Sequence, residues 1–377
     1  MKTINPLCIL ISLAATVAAP LGAQVSVYSV VGFGFPAEAM GVRARSLGGG
    51  EIGVDPRSAV NPAATVSFRR LTVVATSNVA RRSYEIDGTA VKGLRDTRFP
   101  FAIVGGDIPG TRFSFAASFS TYVDRTYDLS IHDTITLRGE EVAVSDRLRS
   151  SGSVIDSRFA LGWIAGSALS LGLAAHVMSG SARVTAARAF ADPSYNVFGQ
   201  RTEEGYSGFG LSAGVLANLL PGLRIGGALR TNTSLDVTRD SEPAGSVDLP
   251  FSAAGGLQLT VGPTARWSAS AWWRSWSRAE GLAAQGSGVR VFDTWSVGTG
   301  IELGSAAPLL RGGVRYSQLP FSPTEEQPRE ISVAVGSGFS FAAARALADF
   351  AVERTLRDGA GASERIWQFS VAVLLQP

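Results

Sequence analysis

Residues 41–66 read GVRARSLGGGEIGVDPRSAVNPAATV. Their apolar positions follow neither a 3.6 nor a 2 period, so the stretch is neither an amphipathic helix nor a strand. It carries the triplet Gly48, Gly49 and Gly50, then Asp55-Pro56, then Asn61-Pro62. These are turn makers, and a compact, folded-back plug uses them better than a transport tail would. From residue 68 onward the chain reads as a long series of hairpins. The expectation is a barrel wrapped around the plug.

The hairpins decide the class. Candidate strands fall at 68–78, 98–106, 111–127, 153–165, 168–185, 205–219, 223–237, 247–261, 264–278, 288–303, 308–318, 329–341, 347–357 and 363–375. That is fourteen, and closed single-chain outer-membrane barrels have even counts. Most are about 10 residues or longer, enough for a tilted membrane crossing. Short turns such as 107–110, 166–167 and 220–222 alternate with long polar connections such as 130–151 and 186–204. Outer-membrane barrels show that asymmetry.

The faces agree. Phe113, Phe115, Phe119 and Val123 fall on one side of their strand, and Arg112, Ser114, Ser118 and Ser120 on the other. Trp367, Phe369, Val371 and Val373 alternate with Gln368, Ser370 and Ala372. The fold class expected is all-β: a transmembrane antiparallel barrel of about 14 strands with an N-terminal plug in its lumen. A β-sandwich shares the alternation but does not need strands this long.

Composition supports this reading. Of 377 residues, 45% are apolar and only 17% charged, against the usual ~25%. Beyond the leader, no run approaches the ~18 apolar residues of a membrane helix. Hydrophobicity spread thinly suits lipid contact by alternate residues. A net charge of +3 gives no case for nucleic-acid binding.

Residues 1–23 resemble a secretory signal peptide: Lys2, an apolar run over 7–19, then small residues. The single cysteine, Cys8, lies inside that run. The expected division is signal peptide 1–23, plug 24–66 and barrel 67–377, exported to the bacterial outer membrane and embedded in its lipid.

The plug carries Arg45-Ser46-Leu47-Gly48-Gly49-Gly50, then Val54-Asp55-Pro56-Arg57-Ser58-Ala59, then Asn61-Pro62-Ala63 before the first strand. This pattern resembles the FadL-type outer-membrane proteins for hydrophobic compounds, and the related PorV-like proteins. One Asp stands where relatives often have two acidic residues, and Val60 replaces an aromatic. The resemblance implies a plugged barrel, with Gly48, Gly49, Gly50, Asp55, Asn61 and Pro62 as plug or gate residues.

A second cluster lies at 266–278. By parity Trp267, Ala269, Ala271 and Trp273 face lipid, while Trp272 and Trp276 face inward with Arg266, Arg274 and Arg278. Such a cluster suits an amphipathic ligand, its body on the indoles and its acid head on a guanidinium. An aromatic girdle with lumen arginines paired to acids is the structural alternative. Asp349 and Glu353 fall on the inward face as candidate partners.

No nucleophile elbow of the Gly-x-Ser-x-Gly kind lies between strand and helix. His132 and His176 lack zinc spacing. No catalytic residue, metal site or cofactor is expected. The expected function is passive uptake of hydrophobic or amphipathic small molecules, fatty-acid-like or aromatic. The alternative is a PorV-like barrel that handles secreted proteins through its long loops.

Overall fold

The computed structural model describes residues 26–86, 89–279, 288–305, 308–342 and 345–376. The expected signal peptide lies outside the described residues. Twenty strands are described: β1 (Phe35–Pro36), β2 (Thr72–Ile86), β3 (Thr89–Arg98), β4 (Phe101–Asp107), β5 (Phe113–Asp124), β6 (Tyr127–Leu137), β7 (Glu140–Ile164), β8 (Leu169–Phe190), β9 (Phe198–Leu220), β10 (Leu223–Arg239), β11 (Glu242–Asp248), β12 (Ser252–Val261), β13 (Ala265–Arg274), β14 (Arg290–Val291), β15 (Thr294–Leu303), β16 (Leu309–Gln318), β17 (Phe321–Ser322), β18 (Arg329–Phe341), β19 (Ala346–Gly359) and β20 (Ala362–Leu375).

Antiparallel neighbours close into a ring of fourteen, with β20 returning to β2 in register from Val73↔Leu375 to Ile86↔Ala362. Three ring positions are each made of two strands in line. β3 and β4 break at Phe99-Pro100, because proline has no N–H to give a ladder. β5 and β6 break at Arg125-Thr126, and β11 and β12 at 249–251, around Pro250.

The outer wall is an apolar belt. Val73, Phe113, Phe119, Phe159, Leu173, Leu211, Leu229, Val314, Val333, Trp367 and Phe369 are all exposed. An apolar area this continuous is a lipid-facing surface, not one made for water. The alternate residues Ser114, Ser118, Ser332, Ser370 and Ala372 are buried, as the period of two requires.

The structure corrects three expectations. Residues 130–151 and 186–204 are not loops in the main: β7, β8 and β9 run for 25, 22 and 23 residues and carry the ladder well past the belt. Val123 faces inward, fully buried, because a bulge between Thr121 and Val123 inverts the parity of β5. The first ring strand begins at Thr72, and β15 only at Thr294.

Most of residues 26–68 is buried or half-buried inside the ring. A short helix (Val42–Ser46) touches β16, β18, β19 and β20 on one side. A 3-10 turn (Pro62–Ser67) touches β4, β5 and β7–β10 on the other. A segment that meets inward-facing residues on opposite walls of a closed ring fills its lumen.

Candidate functional site

The lower lumen, at the short-turn end, is filled. Gly48 and Gly49 take the left-handed conformation (φ +60° and +80°), which folds the chain back at the triplet. Wall glycines receive the plug backbone. A Cβ on Gly298 would fall 1.9 Å from the Gly48 carbonyl oxygen, and one on Gly226 would fall 2.1 Å from that of Gly53. Similar contacts hold for Gly313 against Leu47 and Gly172 against Ala63.

Asn61 anchors the second turn. Its Nδ2 donates to the carbonyls of Gly53 (2.7 Å) and Val215 on β9 (2.9 Å), and its Oδ1 accepts from the Ala63 N–H (2.9 Å). Pro62 supplies the fixed φ that opens the 3-10 turn. Asp55 accepts from the Arg57 N–H and the Ser58 hydroxyl. Gly48, Gly49, Gly50, Asn61 and Pro62 thus meet wall residues, while Asp55 bonds within the plug.

Ion pairs bind the same region. Glu302 meets Arg43 (3.0 Å), Arg266 (2.9 Å) and Arg311 (2.7 Å). Asp349 meets Arg57 (2.8 Å) and Arg311 (2.6 Å); Glu353 meets Arg45 (2.9 Å) and Arg315 (3.0 Å). Asp349 and Glu353 do face inward, but their partners are plug and β16 arginines, not Arg266, Arg274 or Arg278. Parity along a strand carries no cross-strand register, so it missed Arg45, Arg57, Arg311 and Arg315.

The tryptophan cluster divides. Arg266 sits at the turn end with Glu302. Trp272 and Arg274 face the upper lumen, with the guanidinium carbon 3.8 Å from the Trp272 ring centroid. β13 then ends, and Trp276 opens a 3-10 turn (Trp276–Ala279). Three residues per turn put Trp276 and Ala279 on the buried side and leave Arg278 exposed. Arg278 is therefore not a lumen residue. Trp276 packs edge-on to Phe321, with centroids 5.6 Å apart, and lies near Tyr122.

Two cavities adjoin at these residues, sharing Ala37, Trp272, Arg274 and Trp276. The smaller reaches Tyr122, Asp156, His176 and Arg230. The larger reaches Phe35, Arg98, Asp124 and Arg357. An apolar cluster that includes Phe33, Val154, Leu235, Trp276 and Phe321 packs beside them.

On the wall of the smaller cavity, His176 bridges Asp156 (Nδ1, 3.0 Å) and Ser212 (Nε2, 2.9 Å), and Arg230 donates to the same Asp156 (2.6 Å). Reading single strands could not assemble this row, whose members come from four strands. It is a satisfied buried network of the kind that fixes a wall. Arg158 differs: buried, it leaves Nε and Nη2 without acceptors.

No protein-family model matches this sequence, and no curated protein does. Solved structures do. A FadL homologue of Pseudomonas aeruginosa aligns over 91% of this chain and 99% of its own, at 14% identity and a TM-score of 0.63. The toluene transporter TbuX of Ralstonia pickettii aligns over 90% and 98%, at 14% identity and 0.59. The toluene transporter TodX of Pseudomonas putida gives the same values. At such identities the likeness is one of fold.

Proposed function

We propose that this chain, a barrel of the FadL-type fold, passes hydrophobic or amphipathic small molecules inward across the bacterial outer membrane. The observation that carries the reading is the pair of small adjoining cavities walled by Trp272, Trp276, Tyr122 and Phe35 above a filled lower lumen. Indole and phenyl faces take an apolar body, and Arg230 and Arg274 stand beside them for a polar end. The blocked lower lumen opposes free diffusion, so passage is binding followed by release. The names of the structural relatives, two of them toluene transporters, favour the same class of ligand.

The test is uptake of a fatty acid and of an aromatic hydrocarbon by cells with a lipopolysaccharide outer leaflet, with and without the protein. Equal uptake for both ligands removes the reading. Trp272→Ala with Trp276→Ala should slow uptake while the barrel still folds.

A second reading draws on the sheet that β6–β9 raise beyond the apolar belt. As a PorV-like surface it would hold secreted proteins. A pull-down through residues 130–151 and 186–204 that recovers such proteins, with no uptake activity, would favour it.

A further inference from the structure

The rim of the apolar belt carries a basic patch on β19, β20 and β2, at the end of the barrel from which the β6–β9 sheet rises. Trp367 of β20 is in register with Arg354 of β19 on one side and Arg81 of β2 on the other. Arg365 follows one outward row higher, in register with Leu356 and Ser83. Arg81 and Arg365 are exposed, and Trp367 is 55% exposed. The row beneath holds Val352, Phe369 and Val79, all exposed. The arginines thus stand where lipid chains give way to head groups, the level at which barrels place their aromatic girdle. There a cation is tolerated, because a long side chain reaches out of the hydrocarbon.

What sets the patch apart is its charge balance. Sheet spacing puts the Arg81 and Arg354 Cα atoms about 10 Å apart, with Arg365 about 8 Å from each. None of the three has a hydrogen-bond or ion-pair partner among the described residues. The outer-face carboxylates of these strands, Glu85 and Asp358, lie one row above Arg365, and Arg329 meets Asp358 at 3.8 Å. Elsewhere on the outer face Arg147 meets Asp128 and Arg183 meets Glu203. Three like charges within about a Debye length repel one another. A shared anion reverses the sign of that interaction, and guanidinium forks match phosphate oxygens. Arg354 is already turned toward the patch: its guanidinium carbon lies 5.0 Å from the Trp367 ring centroid.

We propose that Arg81, Arg354 and Arg365 bind the phosphorylated sugar head of lipopolysaccharide, the anionic glycolipid of the outer leaflet, with its acyl chains against the belt below. The belt there is aromatic. Phe369 stacks on Phe350 at 6.4 Å between centroids, and Phe350 meets Phe339 edge-on at 6.0 Å. Trp367 brings an amphipathic ring to the level of the sugar. Two features favour a glycolipid over a phospholipid. The patch lies at the outer-leaflet end, opposite the short turns. Its arginines span about 10 Å, which suits a head with more than one phosphate better than a head with one. The patch shares no residue with the lining of the two lumen cavities, so it stands apart from the uptake reading.

The test uses the folded protein in phosphatidylcholine nanodiscs. The probes are diphosphorylated lipid A, which is the membrane-anchored part of lipopolysaccharide, dephosphorylated lipid A, and phosphatidylglycerol. Bound lipid is counted by native mass spectrometry. Gel mobility before and after heating confirms that each variant is folded.

The parent should hold diphosphorylated lipid A roughly tenfold or more tightly than either other probe. Arg81→Ser with Arg354→Ser and Arg365→Ser should abolish that preference. Arg365→Ser alone, which leaves the Trp367 row intact, should weaken binding about fivefold, and serves if the triple variant does not fold. Arg70→Ser with Arg112→Ser, at exposed positions of the short-turn end, should leave the preference unchanged.

Equal affinity for dephosphorylated lipid A overturns a phosphate site. Equal affinity for phosphatidylglycerol overturns the glycolipid. A preference that survives the arginine replacements overturns the patch as its seat.

Discussion

Two halves of one inner segment are held by different physics. Residues 41–68 are keyed. Their backbone enters hollows left by wall glycines, and their arginines end in buried carboxylates on the wall strands. Residues 26–40, an inner arm, are hung. Two residues of ladder, the Tyr28 hydroxyl on the Gly359 and Ala362 carbonyls, the Ser26 hydroxyl on Glu364 and Glu38 against Arg315 hold them, together with Phe33 buried in the upper apolar cluster and Gly34 fitted against the Asp124 carbonyl. Steric keys fail all at once, whereas hydrogen bonds to a strand edge can be traded one at a time.

The largest effect should come from filling a key. Gly298→Val places a branched side chain where even a Cβ would lie 1.9 Å from the Gly48 oxygen. Plug or wall must shift, at a cost of about 3 kcal/mol or more. The expected result is loss of the heat-modifiable folded band. A variant that folds and melts like the parent would show that the plug is not keyed, and the contrast between the halves would collapse.

Next comes Glu302→Gln. The residue is 1% exposed and serves Arg43, Arg266 and Arg311 together. Removing one partner from a buried ion network costs about 3 kcal/mol, because the opposing charges stay buried. Arg311 retains Asp349 and Arg43 retains Glu51, so the barrel should still form, with a lower thermal midpoint in detergent. An unchanged midpoint would mean that the ion pairs are incidental and that glycine packing alone fixes the plug.

Much of this contrast was hidden in the sequence. Parity along single strands marked Phe113, Phe119, Trp367 and Phe369 as outward and Asp349 and Glu353 as inward, because a period of two needs only one strand to be read. The ring count came from the same signal. Cross-strand register did not, since it depends on pairing between distant strands. Arg311 was therefore not joined to Glu302 and Asp349, nor Asp156 to His176 and Ser212. One bulge was enough to put Val123 on the wrong face, and one change from strand to 3-10 turn to put Arg278 inside. The Gly48–Gly50 and Asn61-Pro62 turns were legible as local chemistry. The glycines that receive them lie on other strands and carry no mark of that role.

The arm should respond more gently. Tyr28→Phe removes the hydroxyl that donates at 3.1 and 2.7 Å to the Gly359 and Ala362 carbonyls. A hydrogen bond of this kind is worth about 1 kcal/mol. The loss should loosen residues 26–40 without shifting the global midpoint, because local opening draws on local contacts. Hydrogen exchange reads the difference: protection at the Ala37 amide should fall while that at Ala63 persists. Equal loss at both would make arm and plug one unit.

The smallest effect belongs to the sheet beyond the belt. Arg147 meets both oxygens of Asp128, at 2.9 and 2.6 Å, on the β6–β7 hairpin. Its side-chain hydrogen bonds hold the Asp128 carboxyl below the usual carboxylate range. A depressed carboxylate stabilises above its unfolded pKa, and that contribution fades as pH falls through the lower folded value. The Arg147 side chain is 57% exposed, so solvent screening leaves the pair little stabilising value. Asp128→Asn should therefore shift the melting curve barely at neutral pH, and not at all in acid below the folded pKa. A shift as large as that of Glu302→Gln would mean that the raised sheet is tied to the barrel as firmly as the plug is.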